Sequence, residues 1–313
     1  MRVVFFGTPE IAIPTLLKLK EYVIAVVTQP DRPSGRGRKI TPSPVKEKAI
    51  SLGIEKIFQP ETTKDKKFRE DLRILEPDFF VVVAYGKILG KKLLNLPKKG
   101  CINLHLSLLP KYRGAAPVAW AILNGDEVTG VTVQKMAPEL DAGDILIQKE
   151  VEIKKGETKG ELEKRLSEIG AELVLYVLEN YDKLEPITQD QKKVSFAPVL
   201  KKQDGLIDWS QDATIIERKV RAFNPWPSAF TYFNNKLLKI YRAEAVYNDN
   251  ELKEEGLKPG YGIIKDKECY IKCGKGFLKL LEVQLEGKKK IDILSFINGM
   301  RLKSGFILES KKG

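Results

Sequence analysis

The chain is poor in the residues that most often announce chemistry. Its 313 residues hold one histidine and three cysteines, at positions 101, 269 and 273. Thiols so few and scattered make no disulfide framework, which suits a reducing cytoplasm. Cys269 and Cys273 read as strand-core residues. Their spacing is half of a metal site, but no second Cys/His pair exists to complete a tetrahedral one, so no metal is expected. No apolar run is long enough to span a membrane, and the opening run from Met1 to Phe6 is too short for a secretory core. Gly7-Thr-Pro follows the first apolar run without forming Gly-x-Gly-x-x-Gly, and no Gly-x4-Gly-Lys-Ser/Thr loop occurs. A nicotinamide or flavin dinucleotide and an ATP-driven reaction are therefore unsupported.

Positive charge, by contrast, is abundant. Lys and Arg outnumber Asp and Glu by 54 to 42, a formal net charge of +12 that attracts polyanions and favours nucleic acid as a partner. The length suits two domains. In the first half, apolar runs at Val3 to Phe6, Val23 to Val27, Phe79 to Ala84 and Ile102 to His105 alternate with helical spacing at Glu10 to Lys20, Pro44 to Leu52 and Lys64 to Leu75. That alternation predicts a parallel sheet, and strands apolar on both faces predict helices on each side: an open, doubly wound, mostly parallel α/β sheet. Ligands bind at the carboxyl ends of such strands. A further amphipathic helix, with Leu162, Leu166, Ile169, Leu173, Tyr176 and Val177 spaced for one buried face, closes a first domain over residues 1–188. Residues 189–205 read as a polar linker, and short β-rich runs over 206–313 predict a small barrel. Lys236, Lys239, Arg242, Lys272, Lys275, Lys279, Lys288 to Lys290 and Arg301 form either a phosphate-facing surface along it or an ordinary solvated one.

The densest stretch runs from Cys101 to Pro117 and contains the sole histidine. Asn103 and His105 are two apart at a strand end, so both side chains lie on one face and can converge on one reacting atom. Ser107 to Gly114 supplies a turn, Pro117 suits a first helical position, and Asn124-Gly125 ends a short helix carrying Trp120. An acid that fixes the imidazole and favours its protonated form is Asp141, in the turn Pro138 to Asp144 between the apolar strands Gly130 to Met136 and Ile145 to Lys149. Spacing alone leaves a simple polar hairpin equally open. Between Arg32 and Lys48, six cations gather against one acid, with Gly35 and Gly37 giving freedom and prolines limiting it. This is a loop able to order on a partner or a mobile surface loop.

The motif Asn103-x-His-x-Ser-Leu-Leu-Pro-x-Tyr-Arg-Gly-Ala-Ala-Pro117, followed by Leu140-Asp-x-Gly-Asp144, resembles the signature of the folate-dependent formyltransferases. Three further segments resemble the methionyl-tRNA branch of that superfamily. They are Val3 to Pro14, with Ile11 where phenylalanine is common; the basic loop Gln29 to Lys46; and a distal set with Phe196-Ala-Pro, Asp204 to Trp209, Arg221 to Phe230 and Phe296 to Gly299. The resemblance spans nearly the whole chain and implies an OB-like second domain that binds tRNA.

It also implies transfer of formyl from 10-formyltetrahydrofolate to the α-amino group of methionyl initiator tRNA by a monomeric cytoplasmic enzyme. Asn103 and a protonated His105 donate to the oxyanion, and Asp141 holds His105 and helps move the proton of the attacking amine. The folate is expected against Ala84, Tyr85, Gly86, Lys87, Ile88, Ser107, Leu108, Leu109, Pro110, Arg113, Leu140 and Asp144. Arg113 is open between that role and a structural one. The tRNA is expected on the loop 31–48 through Arg32, Arg36, Arg38, Lys39 and Lys46. A formyltransferase for a sugar or nucleotide amine would use the same triad without the loop. A non-enzymatic RNA-binding protein would not need the triad, and a hydrolase of the donor would differ only in admitting water.

Overall fold

A computed structural model describes residues 1–34, 39–247, 252 and 256–311. The chain divides into two compact units, one of Met1–Pro117, Val128–Glu152 and Glu163–Pro198, the other of Val118–Glu127, Ile153–Leu162 and Val199–Gly313.

The first unit is built on seven strands: β1 (Val3–Gly7), β2 (Val23–Val27), β3 (Ile57–Phe58), β4 (Phe79–Val83), β5 (Gly100–His105), β6 (Val128–Lys135) and β7 (Ile145–Glu152). Their order is β7-β6-β5-β4-β1-β2-β3. Strands β1 to β5 are parallel, whereas β6 runs antiparallel to β5 and to β7. Strands β1 and β4 are buried at every position, as expected of strands covered on both faces. Val4, Phe6, Val27, Phe80 and Val82 pack with Phe68 and Leu72 of the helix Lys66–Ile74. Because β2 and β4 flank β1 on opposite sides, connections diverge there, and the crevice at its carboxyl end is where such sheets bind ligands.

The predicted helices form at Ile13–Lys18, Pro44–Ser51 and Lys66–Ile74, the last two capped by the Ser43 and Asp65 side chains. The long helix Lys159–Asn180 differs in which face it buries. Leu162, Leu166, Ala171, Val174 and Val177 are buried, but Tyr176 is 48% exposed. Gly170 explains the rotation, since a Cβ there would come 2.6 Å from Leu104 Cδ2, so the helix approaches β5 through its small residues. Residues 189–198 are no free tether either: Gln189 is buried and Phe196–Ala197 pair in parallel with Arg113–Gly114.

In the second unit, β8 (Ala229–Phe233), β9 (Lys236–Val246), β10 (Tyr261–Lys265), β11 (Glu268–Lys272) and β12 (Phe277–Leu285) form an antiparallel sheet in the order β8-β9-β12-β11-β10, continued by Phe306–Ile307. Tyr232 and Glu309 exchange backbone hydrogen bonds of 3.0 and 2.9 Å, which joins the two ends of that path into the expected barrel. Trp209, Phe233, Ile240, Ile271, Val283 and Phe296 fill it. Lys272 does not belong to its cationic surface. It is 5% exposed and donates to the Cys273 carbonyl. Arg242, Lys279 and Lys290 are in ion pairs with Glu161, Glu268 and Glu282. Among the described residues no helix is long and apolar enough to cross a membrane, and no group of side chains is arranged to hold a metal ion.

Candidate active site

Antiparallel pairing of β5 with β6 sets Asn103 opposite Gln134 and His105 opposite Thr132. Residues directly opposite share a face, so four polar side chains are collected on one patch of an otherwise apolar pair of strands. All four are at least nine-tenths buried. The turn after β6 then carries Asp141 back over this patch, with φ of +49° at Asp141.

Asp141 is the hub. One carboxylate oxygen accepts from Gln134 Nε2 at 3.2 Å and lies 3.4 Å from Asn103 Nδ2. The other accepts the Gly114 N–H at 2.9 Å and lies 3.6 Å from His105 Nδ1. The opposite ring nitrogen, Nε2, is 2.9 Å from the Tyr112 carbonyl. A carbonyl only accepts, so Nε2 carries a proton. Nδ1 is turned to the Asp141 carboxylate, at a distance longer than a hydrogen bond. The structure thus brings Asn103, His105 and Asp141 together, with long contacts from Asp141 to the other two, while the Gly114 N–H holds Asp141 and the Tyr112 carbonyl holds His105.

Gln134 and Gln189 were not foreseen. Gln189 Nε2 donates to the carbonyls of Asp141 and Gly143 at 2.8 and 2.7 Å and lies 3.3 Å from Gln134 Oε1. Its Oε1 accepts the forked Arg113 guanidinium at 3.0 and 2.7 Å. Arg113 is buried by this pairing and holds the turn through Gln189. Gly114 reaches Asp141 by main chain at φ +123°, and a Cβ there would meet the Ala197 carbonyl at 2.7 Å.

The loop after β5 is fixed from within. Thr132 Oγ1 donates to the Ser107 carbonyl and accepts from the Leu109 N–H, while Gln148 Nε2 donates to Leu109 O. Ser107 spends its hydroxyl on Lys111 O, Leu109 is buried, Pro110 follows it and Leu108 lies over Gly130. After β4, Ala84 and Gly86 are exposed with φ of +46° and +81°. Tyr85 is buried edge-on to Phe6, and burial pushes its hydroxyl up to about 12. Lys87 donates to the carbonyls of Pro60 and Glu61. Ile88 and Leu140 are exposed apolar side chains, 74% and 59%, and Asp144 accepts from Thr188.

The basic loop begins as a hairpin, Arg32–Ser34 pairing with Lys39–Thr41, and Arg32 is exposed. Arg36 and Arg38 lie outside the described residues, and of Lys39 only the backbone is described. Lys46 is bound to Asp31 at 2.6 Å. The loop and the 84–88 segment follow the carboxyl ends of strands in the first unit, and His105 is the last residue of another.

Comparison with known proteins agrees. Residues 1–178 match the formyl transferase family and residues 199–301 the formyl transferase C-terminal domain. The methionyl-tRNA formyltransferase of Lachnospira eligens is 45% identical over 98% of this chain and 99% of its own. Among solved structures, methionyl-tRNA formyltransferase from Clostridium thermocellum has a TM-score of 0.56 at 17% identity, over 80% of this chain and 95% of that one. HypX from Aquifex aeolicus, solved in complex with tetrahydrofolic acid, has a TM-score of 0.64 at 20% identity over 95% of this chain, which spans only 47% of HypX. Both are likenesses of fold.

Proposed function

Because the chain belongs to the methionyl-tRNA formyltransferase family, we propose that Asn103, His105 and Asp141 carry the transfer of formyl from 10-formyltetrahydrofolate to the α-amino group of methionyl initiator tRNA. That reaction supplies the formylated initiator of protein synthesis, in the cytoplasm. The observation that carries the assignment is the convergence of Asn103 and His105 on Asp141, with Nδ2 and Nδ1 at 3.4 and 3.6 Å from its carboxylate, contacts long enough to be exchanged for ones to a substrate.

As the amine attacks the formyl carbon, the formyl oxygen becomes an oxyanion. Asn103 Nδ2 and the Nδ1–H of a doubly protonated His105 donate to it, each worth about 3 to 4 kcal/mol in a preorganised site. Asp141 takes the proton the amine loses. Collapse breaks the bond to the folate N10, which leaves with that proton, returned from Asp141. The donor lies against the main chain of Ala84 to Ile88 and the turn bearing Leu140 and Asp144. The exposed Ile88 and Leu140 side chains suit the apolar edge of a pterin. Ser107 to Pro110 and Arg113 shape the wall. Residues 1–188 form the catalytic part, and 206–313, as a barrel, bind the tRNA together with Arg32, Arg36, Arg38 and Lys39 of the loop. The protein acts as a monomer.

The test is formyl transfer to charged initiator tRNA, run beside free methionine and a sugar amine, with donor hydrolysis monitored. Asn103→Ala and His105→Ala each lower kcat about 10²- to 10³-fold with the KM for tRNA little changed. Wild-type turnover in either variant would remove that residue from the reaction, and turnover on another acceptor alone would reject the tRNA assignment.

A further inference from the structure

A continuous run of hydrogen bonds joins the base of the basic loop to the 84–88 segment, and none of its members belongs to the triad. Asp31, which precedes the hairpin, accepts from Lys46 Nζ at 2.6 Å and from Gln59 Nε2 at 2.7 Å. Gln59 Nε2 also donates to Gln29 O at 2.9 Å. Gln29 Nε2 in turn donates to the Tyr85 carbonyl at 3.0 Å, which accepts the Thr8 hydroxyl at the same distance. The segment following Gln59 makes a second crossing. Pro60 and Glu61 carbonyls accept from Lys87, and Thr63 donates to Ile88 O at 2.8 Å.

The arrangement has no slack. A primary amide has two hydrogens, and Gln59 commits one to Asp31 and one to Gln29, so neither partner moves without breaking a bond. The Asp31–Lys46 pair is only about a quarter exposed on each side, which limits its screening by solvent. Lys46 and the Gln59 amide hold the Asp31 carboxyl below its usual value. Gly86 leaves room for Gln29, since a Cβ there would meet Gln29 Nε2 at 2.4 Å. Phosphates arriving at the loop compete with Asp31 for Lys46, and any shift of Asp31 is delivered through Gln59 and Gln29 to the Tyr85 carbonyl.

We infer that Gln59 and Gln29 are positioning residues that couple engagement of tRNA by the loop to seating of the folate on residues 84–88. The inference rests on the loop and folate assignments proposed above. Coupling of this kind is reciprocal, each ligand changing the other's affinity by one factor.

The experiment measures the dissociation constant of 5-formyltetrahydrofolate for the full chain, with and without deacylated initiator tRNA at fixed salt. In the wild type, tRNA tightens folate about fivefold, at the low end of usual coupling. Gln59→Met keeps the length of the side chain and removes both donated bonds, and the factor falls close to one. Gln29→Met, which removes the Gln29 donor from the Tyr85 carbonyl and leaves that of Thr8, does the same and serves if the first variant does not fold. A wild-type factor of one, or an unchanged factor in a folded variant, overturns the inference. The Arg36→Ala, Arg38→Ala pair separates the two readings. If it leaves tRNA affinity and its salt dependence intact, the loop assignment has failed. If it weakens tRNA binding and flattens the salt dependence while Gln59→Met keeps the wild-type factor, the coupling alone has failed.

Discussion

Replacing Gln189 by leucine tests whether the triad is held by a residue that touches none of the three side chains. Leucine keeps most of the volume and removes all the polar contacts. The buried Arg113 guanidinium loses the oxygen that accepts its two N–H groups, and the carbonyls of Asp141 and Gly143 lose their donor. A hydrogen bond to a charged group contributes about 1.5 to 3 kcal/mol, and a buried group left unsatisfied costs about 1 to 3 kcal/mol. We therefore expect a loss of about 3 kcal/mol of stability, read as a lower denaturant midpoint. The turn also loses the contact that fixes its height over β5. A displacement of about 1 Å in a catalytic group costs on the order of a hundredfold, so kcat falls by about that factor while the KM for tRNA holds. Single-turnover transfer at saturating folate, well below the unfolding midpoint, reads this directly. A variant destabilised as expected but with wild-type kcat would show that the turn keeps its place without Gln189, and the positioning argument would be wrong.

Two further outcomes follow from packing. Gly143→Ala would place a Cβ 1.7 Å from the Lys135 carbonyl oxygen, backbone against backbone, so the turn must move and take Asp141 with it. Transfer should fall at least about tenfold, and a fully active variant would mean that the turn tolerates displacement. None of the three cysteines is in a disulfide and all are buried, and burial pushes the thiols of Cys101 and Cys269 up to about 12. At pH 8 those two are thiolate in roughly one molecule in 10⁴, so a disulfide reagent should label no thiol in the native protein and all three in guanidinium. Rapid native labelling would contradict their packing.

Much of this was legible in the chain, and the exceptions have physical reasons. The parallel strands were readable because burial on both faces leaves unbroken apolar runs, and β1, β2, β4 and β5 form within two residues of the expected bounds. Asn103 and His105 were readable from strand alternation, which is local. Gln134 carried a signal that was not used: with Thr132 it interrupts an apolar strand at period two, marking a polar patch on the face of its partner. Gln189 had no such signal. It sits in a polar run without periodicity and meets Asp141 across 48 residues, a contact made by tertiary structure alone. The rotated helix shows a different failure. Weighing large apolar side chains favoured Tyr176, whereas Gly170 makes the close approach and carries little hydrophobic weight. Lys46 was counted with the free cations of its loop because charge spacing does not show that Asp31 holds it.

The solitary imidazole has a consequence for observation. In a chain of 313 residues with one histidine, selective isotope labelling of that amino acid yields a spectrum of a single ring, already assigned and free of overlap. Its Nε2 is anchored on the Tyr112 carbonyl and its Nδ1 faces Asp141, so the two nitrogen resonances separate a structural contact from a chemical one. Each substrate, product or inhibitor added to the intact protein would then be watched at the reacting atoms themselves, with no probe attached and no residue replaced.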